Sequence, residues 1–139
     1  MKVVMIYGSA NDQAFMQIGK DYLDEQNVVF EEHVLSAHRD LPELIEFLDK
    51  LENSGEQAVI LAIAGLAAAL PGVVAVKTEL PCIGVPVPGG PLNGIDALLS
   101  ITQVPGGVPL ASVGLHSKAP LNACMYAHRL LKLAERGKA

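Results

Sequence analysis

The sequence predicts a three-layer α/β domain built on a parallel sheet, and three observations support this fold class. Apolar runs typical of strands alternate with helical stripes along the whole chain. The predicted strands are apolar throughout rather than alternating, which indicates that both faces of the sheet are covered. The length of 139 residues, without a repeat or a linker, fits one domain spanning residues 1–139.

The strands and helices can be placed in order from these runs. Each predicted strand is a short apolar stretch, and the five lie at 2–7, 28–35, 57–63, 82–85 and 110–115. Each predicted helix has apolar residues at helical spacing, and the five lie at 11–25, 41–51, 66–77, 94–101 and 120–136. Pro71 and Gly72 interrupt the third of these helices. Loops rich in proline and glycine are expected at 86–93 and 104–109.

The third helical segment predicts contact with other subunits. Residues 66–76 are apolar nearly all round, and such a helix must be buried on every side. In so small a domain another copy of the chain is the expected cover, so we predict a homo-oligomer. The final helix is a second candidate for a shared surface, through Met125, Leu130, Leu131 and Leu133.

Composition argues against several classes of partner. The net charge is −5 and no basic block occurs, whereas a nucleic-acid-binding protein normally carries a basic stripe. The longest apolar stretch, 58–70, is shorter than the roughly 20 residues that cross a bilayer, so no membrane association is expected. Cys82 and Cys124 lie in apolar surroundings without metal-ligand spacing, which favours reduced buried thiols and a cytoplasmic protein.

The carboxyl ends of parallel strands are where ligands bind in such sheets. Four polar or glycine-rich segments follow the first four predicted strands, at 8–13 (G-S-A-N-D-Q), 36–40 (S-A-H-R-D), 64–72 (A-G-L-A-A-A-L-P-G) and 86–94 (P-V-P-G-G-P-L-N-G). We therefore expect the functional site at this edge.

The first segment offers a candidate anion site. Gly8 and Ser9 precede a helix start, where free N–H groups favour a phosphate and the Ser9 hydroxyl can donate. Ser9 can equally be an N-cap of that helix. The charge of Asp12 would repel a phosphate, which favours an interaction of this carboxylate with ribose hydroxyls.

The second segment offers a proton carrier and a cation. His38 can transfer a proton near neutral pH, and Arg39 has a planar fork suited to phosphate or carboxylate. The structural alternatives are a histidine that caps a neighbouring loop and a surface arginine paired with Asp40 or Glu43. Both readings stay open at this level.

No motif for a metal, an organic cofactor or a serine nucleophile is present. His33, His116 and His128 have no ligand spacing and are expected to be structural or solvated. Neither a G-x-x-x-x-G-K-[ST] loop nor a G-x-G-x-x-G or G-x-S-x-G motif occurs. The prediction is a site without a cofactor.

Taken together, the segments resemble the PurE family of aminoimidazole ribonucleotide carboxylases and mutases. That family has a G-S-x-S-D turn, an S-A-H-R-T segment, an A-G-x-G-G-A-A-H-L-P-G loop and L-x-G-x-D-S-L-x-S-I-x-Q-M-P-x-G-x-P. The corresponding stretches here are 8–12, 36–40, 62–72 (A-I-A-G-L-A-A-A-L-P-G) and 92–109 (L-N-G-I-D-A-L-L-S-I-T-Q-V-P-G-G-V-P). The similarity runs in order over nearly the whole chain.

The resemblance implies a flavodoxin-like subunit, usually assembled as an octamer, that acts on a small ribonucleotide without a cofactor. It implies that His38 moves a proton while a carboxylate passes from N5 to C4 of an imidazole ribonucleotide in purine biosynthesis. The substrate-binding residues that it implies are Ser9, Asp12, Ser36, Arg39, Ala64, Gly65 and Leu70. Ser9 and Arg39 would hold the 5′-phosphate, and Ala64, Gly65 and Leu70 would enclose carbon dioxide. The loop at 86–90 would line the same pocket, either within one chain or across a subunit boundary.

Departures from the family pattern bear on which branch applies. Asn11, Asp40, Leu66 and Ala69 replace a serine, a threonine, a glycine and a histidine respectively. The polar G-R-S-N stretch of direct carboxylases is absent, which favours the mutase branch. Direct carboxylation with carbon dioxide is the alternative within the family, and a nucleotide-binding paralogue without turnover is the alternative outside catalysis.

Overall fold

Strands and helices alternate along residues 1–137, which are the residues that the computed structural model describes. The strands are β1 (Lys2–Tyr7), β2 (Phe30–Val34), β3 (Ala58–Ala64), β4 (Cys82–Pro86) and β5 (Ala111–Ser112). The helices are α1 (Gln17–Glu25), α2 (Leu41–Asn53), α3 (Ala69–Lys77), α4 (Ile95–Thr102) and α5 (Ala119–Arg136). Two short 3₁₀ turns, Ala10–Asp12 and Ala14–Met16, precede α1.

The five strands form one parallel sheet in the order β2-β1-β3-β4-β5. Alternate β1 residues feed two cores. Val4 and Ile6 pack with residues of α2, α3 and α4 on one face, and Met5 and Tyr7 pack with residues of α1 and α5 on the other. The predicted three-layer fold with a parallel sheet is confirmed. The order of the strands changes direction at β1, because β2 lies on one side of β1 and β3 on the other. Open α/β sheets bind their ligands at such a switch point.

The central strands confirm the prediction of fully apolar strands, but β2 does not. All seven residues of β3 are buried, whereas β2 reads F-E-E-H-V and is half exposed. The strand lies at the edge of the sheet and pairs only with β1. Lys2 reaches Glu31 at 3.0 Å and Lys20 reaches Glu32 at 3.1 Å. Charged residues on an edge strand also discourage pairing with other chains.

The third helix differs from its prediction in its start and in the expected interruption at Pro71. It begins at Ala69 rather than Leu66, because Leu66 has a left-handed φ of 54°. Pro71 does not interrupt the helix: it lies in the first turn, where its missing N–H has no intrahelical partner to lose. Within one chain Val76 is 72% exposed, so burial on every side does not hold for an isolated subunit.

The remaining differences lie at element ends. The predicted helix 11–25 begins as two 3₁₀ turns and becomes α-helical at Gln17. The fifth strand is limited to two residues, Ala111 and Ser112.

Both cysteines are buried free thiols, as predicted. Across residues 1–137, no helix has the length and apolar character that a membrane crossing requires.

Candidate active site

A cleft of about 530 Å³ opens at the carboxyl ends of β1, β2 and β3. It is formed by the turns that follow these three strands. All eight predicted site residues line it: Ser9, Asp12, Ser36, His38, Arg39, Ala64, Gly65 and Leu70. The sheet order explains this convergence, because β2, β1 and β3 are adjacent and parallel.

In the turn after β1, Ser9 acts as an N-cap, and the hydrogen of its hydroxyl stays free to donate. Ser9 has extended backbone angles, and its Oγ accepts from the Asn11 N–H at 3.3 Å. Because the hydroxyl accepts here, its own hydrogen remains available for an anion. The capping alternative and the anion-binding reading are therefore compatible. Asn11 also lines the cleft, although the sequence had singled it out only because it replaces a serine of the family motif.

Asp12 contributes a negative charge that is only partly solvated. Burial raises the pKa of its carboxyl above the usual aspartate value, because removal from water disfavours the charged form. The pKa of the adjacent, fully buried Tyr7 is also raised, mainly by burial and by its bond to Glu32 at 2.7 Å. Asp12 is thus placed as a hydrogen-bond acceptor at the rim of the cleft.

The second turn presents His38 and Arg39 at its tip. Asp40 N–H donates to Ser36 O at 2.8 Å, and Ser36 N–H donates to Asp40 Oδ2 at 2.9 Å. His38 N–H donates to Ser36 Oγ at 3.3 Å. Ser36 is only 5% exposed, whereas both tip residues are exposed to the cleft. His38 does not lie in sealed apolar packing.

Arg39 is anchored to β1 rather than paired with an acid. Its Nη2 donates to Gly8 O at 2.9 Å, and the described residues show no ion pair to Asp40 or Glu43. Of the described residues that line the cleft, Arg39 alone is a lysine or arginine. The guanidinium has five donors, so most of its fork remains available to a ligand.

The third turn forms an apolar wall. Ala64, Leu66, Leu70 and the alanines 67–69 contribute no polar side chain. The N-cap of α3 is Ala68, without a side-chain cap, so the N–H groups of Ala69 and Leu70, two residues that line the cleft, have no capping side chain. This half of the cleft suits a small apolar group with polar contacts only from the backbone.

The loop at 86–90 does not line the cleft within one chain, so its expected contact with the pocket stays a prediction for the subunit boundary. The loop packs instead against Leu66, which itself lines the cleft. A Cβ added to Gly90 would lie 2.5 Å from Leu66 Cδ2. Val87 likewise lies behind Gly65.

The other histidines lie away from the cleft. His33 contacts Glu31 at 3.1 Å and packs on Phe47. His116 accepts from the Lys118 N–H, and His128 is buried with its Nδ1 3.0 Å from the Tyr22 hydroxyl. Among residues 1–137 no cluster of three or more potential metal ligands occurs.

Comparison with known proteins places the chain in a family. The family model described as AIR carboxylase matches residues 2–138. The N5-carboxyaminoimidazole ribonucleotide mutase of Bacillus subtilis (strain 168) is 46% identical over 129 residues, which are 93% of this chain and 79% of the relative. The protein of the same name from Saccharolobus solfataricus is 44% identical over 130 residues, covering 94% and 80%. That of Escherichia coli (strain K12) is 39% identical over 130 residues, covering 94% and 76%.

A solved structure agrees with this placement. The crystal structure of Treponema denticola PurE superposes with a TM-score of 0.83 at 25% identity, covering 94% of this chain and 80% of that chain. The family match spans nearly the whole sequence, and the chain covers 76–80% of the length of these three relatives. The chain belongs to the AIR carboxylase family.

Proposed function

We propose that this protein is an N5-carboxyaminoimidazole ribonucleotide mutase, an isomerase of de novo purine biosynthesis. The observation that carries the proposal is the cleft itself. It brings an aspartate from the end of β1 together with a histidine and an arginine from the end of β2, in a chain that is 39–46% identical to proteins of that name. We assign to the site residues the roles that the family resemblance implies.

The polar half of the cleft anchors the sugar-phosphate. Arg39, fixed by its bond to Gly8 O, directs its free donors at the 5′-phosphate, and Ser9 adds a hydroxyl donor. Asp12 accepts from the ribose hydroxyls. Ser36 supports the turn from below. This arrangement leaves the imidazole ring of the substrate between His38 and the apolar wall.

The proposed reaction moves one carboxylate and returns its proton. The bond between N5 and the carboxylate carbon breaks, its electron pair stays on N5, and carbon dioxide separates. N5 takes a proton from the His38 imidazolium. C4 then attacks carbon dioxide, and the proton displaced from C4 returns to His38. The atoms balance without a co-reactant, and the histidine ends as it began.

The apolar wall suits the free intermediate. Carbon dioxide is uncharged, so a pocket of Ala64, Gly65 and Leu70 holds it without a charged partner and keeps it from water. Leu66 and Ala69 extend the same apolar surface. The carboxylates before and after transfer meet the uncapped N–H groups of α3.

We also propose that the working form is a homo-oligomer, an octamer by resemblance. The support is the outer side of α3 and α4 with the turn before α4, where Val76, Leu92, Ile95 and Leu99 are each at least half exposed. Exposed apolar patches are typical of protein interfaces. We place the enzyme in the cytoplasm, where its two free thiols stay reduced.

Two further activities compete for this site. The family model's description, AIR carboxylase, supports direct carboxylation of the aminoimidazole nucleotide. The loss of a histidine at Ala69 supports a nucleotide-binding protein without turnover.

One assay separates the three. Purified protein is mixed with N5-carboxyaminoimidazole ribonucleotide or with aminoimidazole ribonucleotide, each with and without bicarbonate. We expect the 4-carboxy product from the first substrate without added bicarbonate. A product that requires bicarbonate would instead establish the direct carboxylase. Binding of a ribonucleotide 5′-phosphate without any product would establish the binding protein.

A further inference from the structure

Asp40 occupies an unusual position for a residue that begins a helix. It is the N-cap of α2, and its carboxylate makes no hydrogen bond to the first turn of that helix. An aspartate at this position ordinarily accepts from the N–H groups two or three residues later. Here Oδ2 turns back and accepts from the Ser36 N–H at 2.9 Å. The helix therefore lacks a cap that this side chain could provide.

As a result, hydrogen bonds between its first and last residues close the turn from Ser36 to Asp40. Ser36 and Asp40 exchange two hydrogen bonds, one from backbone to backbone at 2.8 Å and one from backbone to side chain at 2.9 Å. The third bond, from His38 N–H to Ser36 Oγ, ties the centre of the turn to the same base. A ring of three bonds fixes the backbone that carries His38.

The side chains of the two tip residues differ in their own support. Arg39 has an independent anchor at Gly8 O, 2.9 Å away. Within residues 1–137 no hydrogen bond reaches the imidazole of His38. The orientation of His38 thus depends on its backbone far more than that of Arg39 does. Asp40 itself does not line the cleft, so it acts through the turn and not on the ligand.

We propose that Asp40 is a positioning residue for His38, which it holds through the Ser36–Asp40 turn. The effect on turnover that we expect from this role rests on the proposed function. Its role is geometric. The carboxylate oxygen is required as the acceptor of the hydrogen bond from the Ser36 N–H. The negative charge of the carboxylate is not required. This distinguishes Asp40 from a residue that tunes His38 through charge.

Three variants separate geometry from charge. Asp40→Asn keeps an oxygen acceptor at the same distance from the backbone and removes the charge. Asp40→Glu keeps the charge and displaces the acceptor by one methylene. Asp40→Ala removes both. The exposed Asp24 on α1 provides a matched control, Asp24→Ala.

In steady-state kinetics we expect Asp40→Ala to lower kcat roughly 10- to 100-fold, the scale on which misplaced acid–base groups lose rate. KM should change less than about threefold, because Arg39 keeps its own anchor. Asp40→Asn should restore most of kcat, Asp40→Glu should not, and the control should match the parent protein. The reverse order, with Glu active and Asn impaired, would overturn the proposal.

A second readout does not require turnover. In ¹H–¹³C NMR spectra of the histidine rings, Asp40→Ala and Asp40→Glu should shift or broaden the His38 signals. Asp40→Asn should return them close to the parent position, and the His116 signals should stay unchanged throughout. If Asp40→Ala does not fold, the Asn and Glu pair decides. Unmoved His38 signals in a folded Asp40→Glu protein would contradict the proposal even if the nucleotide assay showed no activity.

Discussion

At the scale of single residues, the positive charge of the cleft rests on Arg39. It is the one lysine or arginine among the described residues that line the cleft, and its bond to Gly8 O fixes its direction. A lysine would keep the charge and lose the planar fork that matches a phosphate. The geometry and the charge of Arg39 should therefore contribute separately to binding.

We expect Arg39→Ala to raise KM about 10- to 100-fold, the loss of a hydrogen-bonded charge partner worth roughly 1.5–3 kcal/mol. Arg39→Lys should fall between that variant and the parent protein. Titration calorimetry with ribose 5-phosphate checks the same order without catalysis. Arg129→Ala, on the exposed side of α5, is the control. Equal affinity of the parent and Arg39→Ala proteins would exclude Arg39 as the phosphate anchor.

Asp12 is predicted to aid binding at the expense of stability. Its pKa is raised by burial, so its charged form costs folding free energy at neutral pH, and that cost disappears as the pH falls through its folded pKa. Asp12→Asn should raise the melting temperature at pH 7 by roughly 1–3 °C and should raise KM. The two melting temperatures should converge toward pH 3. A variant less stable than the parent at pH 7 would contradict this account.

The residues that line the cleft were largely predictable, and their local hydrogen bonds were not. Polar residues after parallel strands identify the cleft, because topology alone brings strand ends together. The direction of the Asp40 carboxylate was not predictable, since an aspartate before a helix ordinarily indicates a cap of that helix. The hydrogen-bond partner of Arg39 was not predictable either, because the sequence alone does not distinguish Asp40, Glu43 and the Gly8 carbonyl.

At the scale of elements, the contact between α1 and α5 depends on one glycine. Gly19 is buried in α1, and a Cβ at this position would lie 2.5 Å from Cys124 Sγ and 2.7 Å from the Pro120 carbonyl oxygen. The second of these atoms belongs to the backbone and cannot turn aside. The two helices are therefore packed at a distance that only glycine allows.

Gly19→Ala should lower the free energy of unfolding by about 1–3 kcal/mol, the usual cost of overpacking. Gly72→Ala is the matched control, because Gly72 lies in α3 and a Cβ there meets no atom within 4 Å. That control should be neutral or stabilising by up to about 1 kcal/mol, since alanine favours helices. Urea denaturation measures both. Equal stability of the two variants would show that the α1–α5 contact can relax.

The elements show which sequence signals are reliable. The type and order of every helix and strand followed from apolar runs and helical stripes. The acidic residues of β2 were overlooked because valines flank them at both ends, although Glu31 and Glu32 mark an edge strand. The start of α3 was misplaced because alanine and leucine favour helix, and the left-handed φ of Leu66 reflects tertiary packing rather than local preference.

At the scale of the whole molecule, four exposed apolar side chains lie on α3, on α4 or in the turn before α4: Val76, Leu92, Ile95 and Leu99. On α5, by contrast, Leu131 is buried in the core of the chain and Leu130 packs against that core. Among the candidates named on α5 for a shared surface, Leu133 is the clearly exposed leucine. The outer side of α3 and α4 is therefore the stronger candidate for subunit contact.

Leu99→Glu should reduce the proposed homo-oligomer to smaller species, because a carboxylate in an apolar interface is costly to bury. Leu133→Glu places the same charge on α5 and should leave the assembly intact. Sedimentation velocity at micromolar concentration measures both. An unchanged Leu99→Glu oligomer would exclude this face, and a dissociated Leu133→Glu protein would assign the contact to α5.

The measurement that tests the central claim most directly is turnover of N5-carboxyaminoimidazole ribonucleotide by the parent and His38→Asn proteins. Ribose 5-phosphate binding is followed in the same samples. We predict product without bicarbonate from the parent, a loss of at least about 10²-fold in rate in the variant, and equal binding by both. His38→Asn protein that converts the substrate at the parental rate would contradict the account.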